Sequence, residues 1–83
     1  MVFARWSNNA LGHLEGLDPI IRKRILVKVS WLENNFEDIV PEKLHRDLKG
    51  LYKLRVGGYR IVYSVRESGI TVETVGHRRD VYK

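Results

Sequence analysis

The chain contains no cysteine, two prolines and no long apolar run among its 83 residues. The absence of cysteine excludes disulfides, thiolate catalysis and zinc–thiolate sites. No stretch approaches the ~20 apolar residues that a membrane-spanning helix needs, and the N-terminus lacks the apolar segment of a signal peptide. His13, His45 and His77 are scattered without ligand spacing, so no metal site is expected. We therefore expect a cytoplasmic protein that uses neither a metal nor another cofactor and contacts no membrane.

The composition is that of a folded protein, with 43% hydrophobic and 10% aromatic residues. At this length there is room for a single modest core, which buries about 60% of the surface of the unfolded chain. We therefore treat residues 1–83 as one domain.

Positive charge is concentrated in the C-terminal half. Residues 1–42 carry five Lys or Arg against six Asp or Glu, whereas residues 43–83 carry ten against four. A concentrated basic surface attracts polyanions, of which nucleic acid is the commonest and an acidic protein the next.

The N-terminal half predicts one strand and two helices. Residues 2–6 alternate weakly, as in a strand. Ser7 is a candidate N-cap for a helix over residues 8–17, and Asp18-Pro19 is typical of a second helix start. Residues with helical spacing should face the core, and in the two helices they are Ala10, Leu11, Leu14 and Leu17, then Ile21, Ile25, Val29, Leu32 and Phe36.

Pro41 ends any continuation of the second helix, and residues 37–50 form a predicted connector with a helical turn at 42–48. The acidic side chains near this connector are interpreted as a solvated edge and not as a metal site, and they are Glu33, Glu37, Asp38 and Glu42. The aromatic residues of both halves are expected to pack in the core, and they are Trp6, Trp31, Tyr52, Tyr59 and Tyr63.

The segment LYKLRVGGYRIVY, residues 51–63, predicts a β-hairpin with a type I′ turn at Gly57-Gly58. This register places Arg55 directly opposite Arg60, with Lys53 on the same face. Opposed like charges on one sheet face are destabilising. Such a cluster therefore suggests a binding site for an anion.

A second tight turn at Ser68-Gly69 leads into a last strand over residues 70–76. A two-residue loop there would pair Val65 with Val72 and Tyr63 with Thr74, and it would place His77 opposite Arg60. The predicted order is strand, helix, helix, strand, strand, strand. This is a two-layer α+β fold in which an antiparallel sheet has helices packed on one face and a basic surface on the other.

The segments YKLRVGGYRIVY and VGHRRDVY resemble the RelE branch of the RelE/ParE toxin superfamily. The resemblance implies a RelE-like fold and the toxin of a type II toxin–antitoxin system. Such a toxin is an endoribonuclease that cleaves mRNA in the ribosomal A site without a metal, and a cognate antitoxin inhibits it. By the same resemblance, the catalytic positions are Lys53, Arg55, Arg60, Arg78 and Tyr82.

These residue types suit RNA cleavage by the 2′-hydroxyl. Arginine can bind two phosphate oxygens and stabilise the charge of the transition state. Tyr82 would stack on a base, or it would only anchor the C-terminus. The resemblance implies that Arg78 donates the proton to the leaving oxygen. Lys53, whose neutral form is favoured by nearby positive charges, and His77 are both candidates for the general base.

Three functions remain open from the sequence. The leading one is the ribosome-dependent nuclease. A ParE-like toxin that inhibits DNA gyrase would keep the fold without needing the basic set and the terminal tyrosine. A non-catalytic nucleic-acid-binding module would show salt-dependent binding without cleavage.

Overall fold

The computed structural model describes residues 2–44, 50–66 and 69–77. Within these ranges, the chain forms two helices, a short 3₁₀ turn and five strands. In chain order they are β1 (Ala4–Trp6), α1 (Asn8–Glu15), α2 (Pro19–Asn35), the 3₁₀ turn (Phe36–Asp38), β2 (Glu42–Lys43), β3 (Leu51–Val56), β4 (Tyr59–Arg66) and β5 (Gly69–His77).

Both helices begin at the predicted residues because a side chain satisfies an otherwise free backbone N–H. The Ser7 hydroxyl accepts a hydrogen bond from the N–H of Ala10 at 3.0 Å. Asp18 Oδ1 accepts from the N–H of Ile20 at 2.9 Å, with Pro19 in the first turn. Helix α1 ends at Glu15, two residues earlier than predicted, because Gly16 caps it.

The strands form one five-stranded sheet in the order β1-β5-β4-β3-β2. Strand β1 is parallel to β5, and every other neighbouring pair is antiparallel. The parallel pair is possible because both helices lie between β1 and the rest of the sheet in the sequence. The two-layer α+β fold predicted from the sequence is confirmed, but the sheet is mixed and not wholly antiparallel, and it contains the additional short strand β2.

The core lies between the helices and one face of the sheet. A first cluster joins both helices to β4 and β5, and its buried members are Ala10, Leu14, Ile25, Val29, Ile61, Val72 and Val75. A second cluster contains Leu32, Tyr63 and Ile70. Tyr52, Tyr59 and Trp6 pack against these clusters, as predicted.

The hairpin register is confirmed, with Arg55 paired to Arg60 and Val56 to Tyr59. The turn type was wrong, because φ is positive at Gly57 (59°) and not at Gly58. Positive φ at the first central residue alone is the pattern of a type II′ turn. Both turn types close a two-residue loop, so the register is unchanged.

The register predicted for β4 and β5 was wrong. Val65 pairs with Ile70, Tyr63 with Val72 and Val62 with Thr74, and an irregularity lies between Val62 and Tyr63. The extra residue in β5 forms a bulge. It lets Val72 and Val75, three residues apart, both face the core, whereas a regular strand would place them on opposite faces.

Several side chains lie elsewhere than predicted. Leu11 and Trp31 are exposed, Trp31 by 39%. Glu33 is only partly exposed, and its Oε2 accepts a hydrogen bond from the N–H of Ala4 at 2.8 Å, which ties β1 to α2. Glu42 begins strand β2 and not a helical turn, because it pairs with the edge of β3.

Three predicted features lie wholly or partly outside the described ranges. They are the rest of the helical turn at 45–48, the Ser68 position of the second turn, and the C-terminal residues that include Arg78 and Tyr82. No helix in the described part of the chain is long and apolar enough to cross a membrane.

Candidate active site

Strands β3 and β4 bring three cations together on the sheet face opposite the helices. Arg55 pairs with Arg60, and Lys53 lies two residues before Arg55 and pairs with Val62. Side chains of directly paired residues project from the same face, with Cβ atoms about 4.5–5.5 Å apart. We call Lys53, Arg55 and Arg60 the cationic cluster.

The three cations differ in their burial. Arg55 is exposed, whereas Arg60 is buried, with 8% of its surface exposed. The central strand position of Arg60 restricts its side chain, and Arg55 remains accessible to a ligand. Like charges on directly paired residues are in general destabilising, and a phosphate bound by both guanidinium groups would offset that cost.

Lys53 forms an ion pair that the sequence did not predict. Its Nζ lies 3.6 Å from Oε1 of Glu42, and the two side chains are 15% and 58% exposed. Strand β2 positions Glu42, because Glu42 is paired directly with Lys53. A two-residue strand is too short to show a sequence pattern, so Pro41, which directly precedes β2, is the only local signal that a new element begins there. The pair places a carboxylate beside a candidate catalytic cation.

His77 does not lie opposite Arg60, and this prediction was wrong. The β5 bulge shifts the register, so that Gly76 pairs with Arg60 and His77 pairs with Tyr59. The rings of His77 and Tyr59 meet edge to face, with centroids 5.6 Å apart. Since Tyr59 packs against the core cluster under the helices, His77 projects from the other face of the sheet than the cationic cluster.

A buried tyrosine lies beneath the β2–β3 edge. Tyr63 is 1% exposed and stacks on Tyr52 with centroids 5.7 Å apart. Burial, assisted by the negative charges of ionised Tyr52 and Glu42, raises the pKa of Tyr63 to about 12. The phenol therefore stays protonated at neutral pH and acts as core packing.

The remaining candidate residues, Arg78 and Tyr82, follow β5 outside the described ranges, so their places stay predictions. The described residues contain no group of three His, Asp or Glu side chains that could bind a metal. The cationic cluster on the described sheet face could act on an anionic ligand by stabilising its negative charge.

The sequence matches the family described as the ParE toxin of the type II toxin–antitoxin system, parDE, over residues 4–82. The chain belongs to the RelE/ParE toxin superfamily. No curated protein sequence matches it.

Solved structures of RelE toxins share the fold of this RelE/ParE toxin. A chain of the RelBE2 toxin–antitoxin complex from Mycobacterium tuberculosis superposes with a TM-score of 0.80 at 25% identity, covering 93% of this chain and 98% of that one. The isolated Escherichia coli RelE toxin gives 0.77 at 27% identity, covering 99% and 92%. The RelB–RelE complex from Methanococcus jannaschii gives 0.74 at 26% identity, covering 94% of each chain.

The family match makes the chain a toxin of a type II toxin–antitoxin system, and its fold is similar to that of the RelE toxins. Two of the three structures are complexes of the toxin with its antitoxin.

Proposed function

We propose that this toxin is a ribosome-dependent endoribonuclease that cleaves mRNA in the A site. The observation that supports the proposal is the cationic cluster, in which Arg55 lies across from the buried Arg60. The repulsion in this cluster is a cost to the free protein. The repulsion is explained if the site binds a phosphate and stabilises its charge in the transition state.

In the proposed reaction, the 2′-oxygen of the RNA attacks the adjacent phosphorus while the bond from phosphorus to the 5′-oxygen breaks. The products are a 2′,3′-cyclic phosphate and a 5′-hydroxyl. The guanidinium groups of Arg55 and Arg60 stabilise the extra negative charge on the phosphate oxygens. Arg78 protonates the leaving 5′-oxygen, and Tyr82 stacks on a base.

Lys53 is better placed than His77 to accept the proton of the 2′-hydroxyl, because it lies on the same sheet face as the two arginines. Glu42 forms an ion pair with Lys53 and favours its protonated form, so this pair must separate before the amine can accept the proton. A Lys53→Met variant should lose cleavage, whereas His77→Asn should retain it. The reverse result would assign the general base to His77.

The proposal is tested with purified toxin and programmed bacterial ribosomes carrying a 5′-labelled message. The wild type should produce a discrete cut within the A-site codon that ends in a 2′,3′-cyclic phosphate. Arg55→Gln should slow the cut by roughly 100-fold or more, as loss of one transition-state charge partner does in other enzymes. Arg66→Gln is the matched control, because Arg66 is an exposed cation at the far end of β4, opposite uncharged Gly69.

Inhibition of DNA gyrase is a second candidate, since the matching family is that of the ParE toxin. A supercoiling assay with purified gyrase separates the two functions. Gyrase inhibition without any cut on ribosomes would overturn the nuclease proposal, and the cationic cluster would then be a protein-docking surface.

A further inference from the structure

A cavity of about 500 Å³ lies between the C-terminal end of helix α1 and the second half of β5. We call it the α1–β5 cavity. Its volume is within the range of small-molecule sites, about 300–1,000 Å³. Its walls combine apolar surface from Leu17 and Tyr59 with polar groups from His13 and Thr74. The proposed cleavage reaction uses none of these four residues, so the cavity is a candidate binding site of its own.

The α1–β5 cavity lies close to the cationic cluster, although it is on the helix side of the sheet. Gly76 lines the cavity and is paired directly with Arg60, and such paired residues have Cα atoms about 4.5–5.5 Å apart. Strand β1 pairs with β5 only at residues 70–72. Within the described ranges, residues 73–77 therefore form an edge of the sheet. A ligand bound at Arg60 has only this one edge strand between it and the cavity.

The charges of the two neighbouring sites differ. The lining of the α1–β5 cavity, which is drawn from the described residues, includes no Lys, Arg, Asp or Glu. A phosphate in the cavity would therefore have no charged side chain to bind, whereas the cationic cluster offers three. The cluster suits the phosphate of a nucleotide, and the cavity suits a part of the same molecule that is uncharged and only partly polar.

The hydrogen bonds of His13 determine what its ring offers to a ligand. Its Nδ1 accepts a hydrogen bond from the N–H of Val75 at 3.4 Å and lies 2.8 Å from the hydroxyl of Thr74. Because a backbone N–H can only donate, Nδ1 is the acceptor and the neutral ring carries its proton on Nε2. In this state the ring presents an N–H donor and has no lone pair on Nε2 for a metal ion.

Aromatic surface lies in the same lining. Tyr59 is half-buried, and the exposed His77 meets its ring edge to face, with centroids 5.6 Å apart. Aromatic and imidazole rings are common stacking partners for unpaired bases. A wholly apolar ligand would leave the donor of His13 without a partner. A nucleobase has both a flat ring for the apolar walls and acceptor atoms for that donor.

We propose that the α1–β5 cavity binds one unpaired base of the mRNA while a neighbouring phosphate of the same strand occupies the cationic cluster. The inference rests on the proposed function in taking RNA as the ligand. A base of the ribosomal RNA has the same chemistry. The message is the favoured source because Gly76 in the cavity wall lies across from Arg60, where the phosphate of the message would be bound.

The first test measures binding of the four nucleoside 5′-monophosphates to the full-length toxin through the assigned ring protons of His13 in NMR spectra. At least one nucleotide should shift these signals, whereas ribose 5-phosphate, which lacks a base, should not.

The blocking variant is Gly12→Met, which places a long side chain at the wall of the cavity. A Cβ at Gly12 has no atom within 4 Å, and Met favours a helix more than Gly does, so the variant should fold. It should abolish the nucleotide-dependent shift. Asn8→Met is the matched control, because Asn8 is exposed on the same helix and does not line the cavity.

The second test places the cavity on the message. On programmed ribosomes, Gly12→Met should slow A-site cleavage by roughly 5- to 100-fold, as expected for the loss of one stacked base, and Asn8→Met should stay within about twofold of the wild type. A message with an abasic residue on one side of the cut should be cleaved more slowly by a similar factor. On that message Gly12→Met should have no further effect, because the base it would exclude is already missing.

The outcomes separate the cavity from the nuclease function. Shifts of the His13 signals that need a base and are lost in Gly12→Met support the inference. Absence of such shifts, or equal shifts with ribose 5-phosphate, overturns it. A Gly12→Met effect that persists in full with an abasic residue on either side of the cut overturns the message as the source of the base. A wild-type toxin that shows the base-dependent shifts but cuts nothing refutes the nuclease proposal and leaves a nucleotide-binding cavity.

Discussion

The paired arginines should lower the free energy of unfolding of the free toxin. Arg55 lies directly across from Arg60, and opposed like charges on a sheet cost up to about 1 kcal/mol. Replacing the exposed Arg55 by Thr removes the repulsion and adds a β-branched side chain, which strands favour. We therefore expect Arg55→Thr to raise the free energy of unfolding by about 0.5–1 kcal/mol while A-site cleavage is lost.

Thermal unfolding followed by circular dichroism measures this change. For a domain of 83 residues, 1 kcal/mol corresponds to about 4–8 °C, so the midpoint should rise by about 2–8 °C. The gain should shrink in strong salt, because the screening length falls from about 10 Å at 0.1 M to about 3 Å at 1 M. Arg66→Thr is the control, because Arg66 faces Gly69 across the strands, and its effect should stay within about 0.5 kcal/mol.

Two results would refute the reasoning. A lower midpoint for Arg55→Thr at low salt would show that Arg55 stabilises the sheet in the absence of a ligand. An equal gain for Arg55→Thr and Arg66→Thr would show that β propensity, and not the facing charge, is responsible.

Three further predictions concern the glycines, the buried tyrosine and the ion pair. Gly69→Ala should destabilise the fold by more than about 1 kcal/mol, because φ is 137° and a Cβ would lie 2.6 Å from a backbone carbonyl oxygen. Gly12→Ala should instead stabilise helix α1 by about 0.5–1 kcal/mol, because a Cβ at Gly12 would have no atom within 4 Å. Urea unfolding of both variants measures the two effects. The pKa of Tyr63 is raised from 10.0 to about 12, so the folded state binds the phenol proton more tightly than the unfolded state does. This difference contributes to the free energy of unfolding in full below pH 10, and the contribution is lost as the pH rises towards 12. The fall should be on the order of 2–3 kcal/mol in the wild type and absent in Tyr63→Phe, as measured by urea unfolding across this range. Glu42→Gln removes the carboxylate that competes with phosphate for Lys53. The variant should bind a single-stranded RNA more tightly in a filter assay, while its free energy of unfolding changes by less than about 1 kcal/mol. Weaker RNA binding would contradict this competition.

The local features of the fold could be predicted because each depends on a few neighbouring residues. Ser7 and Asp18 start the helices, since a short polar side chain is enough to cap the first turn. The two-residue loop at Gly57-Gly58 sets the register of the hairpin, and so it places Arg55 opposite Arg60.

Features that depend on distant residues could not be predicted in the same way. The β5 bulge exists because both Val72 and Val75 are buried against residues far away in the sequence, and it moves His77 away from Arg60. Glu42 reaches Lys53 only through a two-residue edge strand, which has no periodicity to detect.

By itself, the sequence determined the α+β order of elements, the helix starts and the facing arginines of the hairpin, because caps, turns and alternation act over a few residues. Only the tertiary structure decided which side of the sheet His77 occupies, which carboxylate lies beside Lys53, and that Trp31 lies at the surface and not in the core. These three outcomes follow from packing between elements, where the burial of several apolar side chains at once outweighs the preference of any single strand or helix.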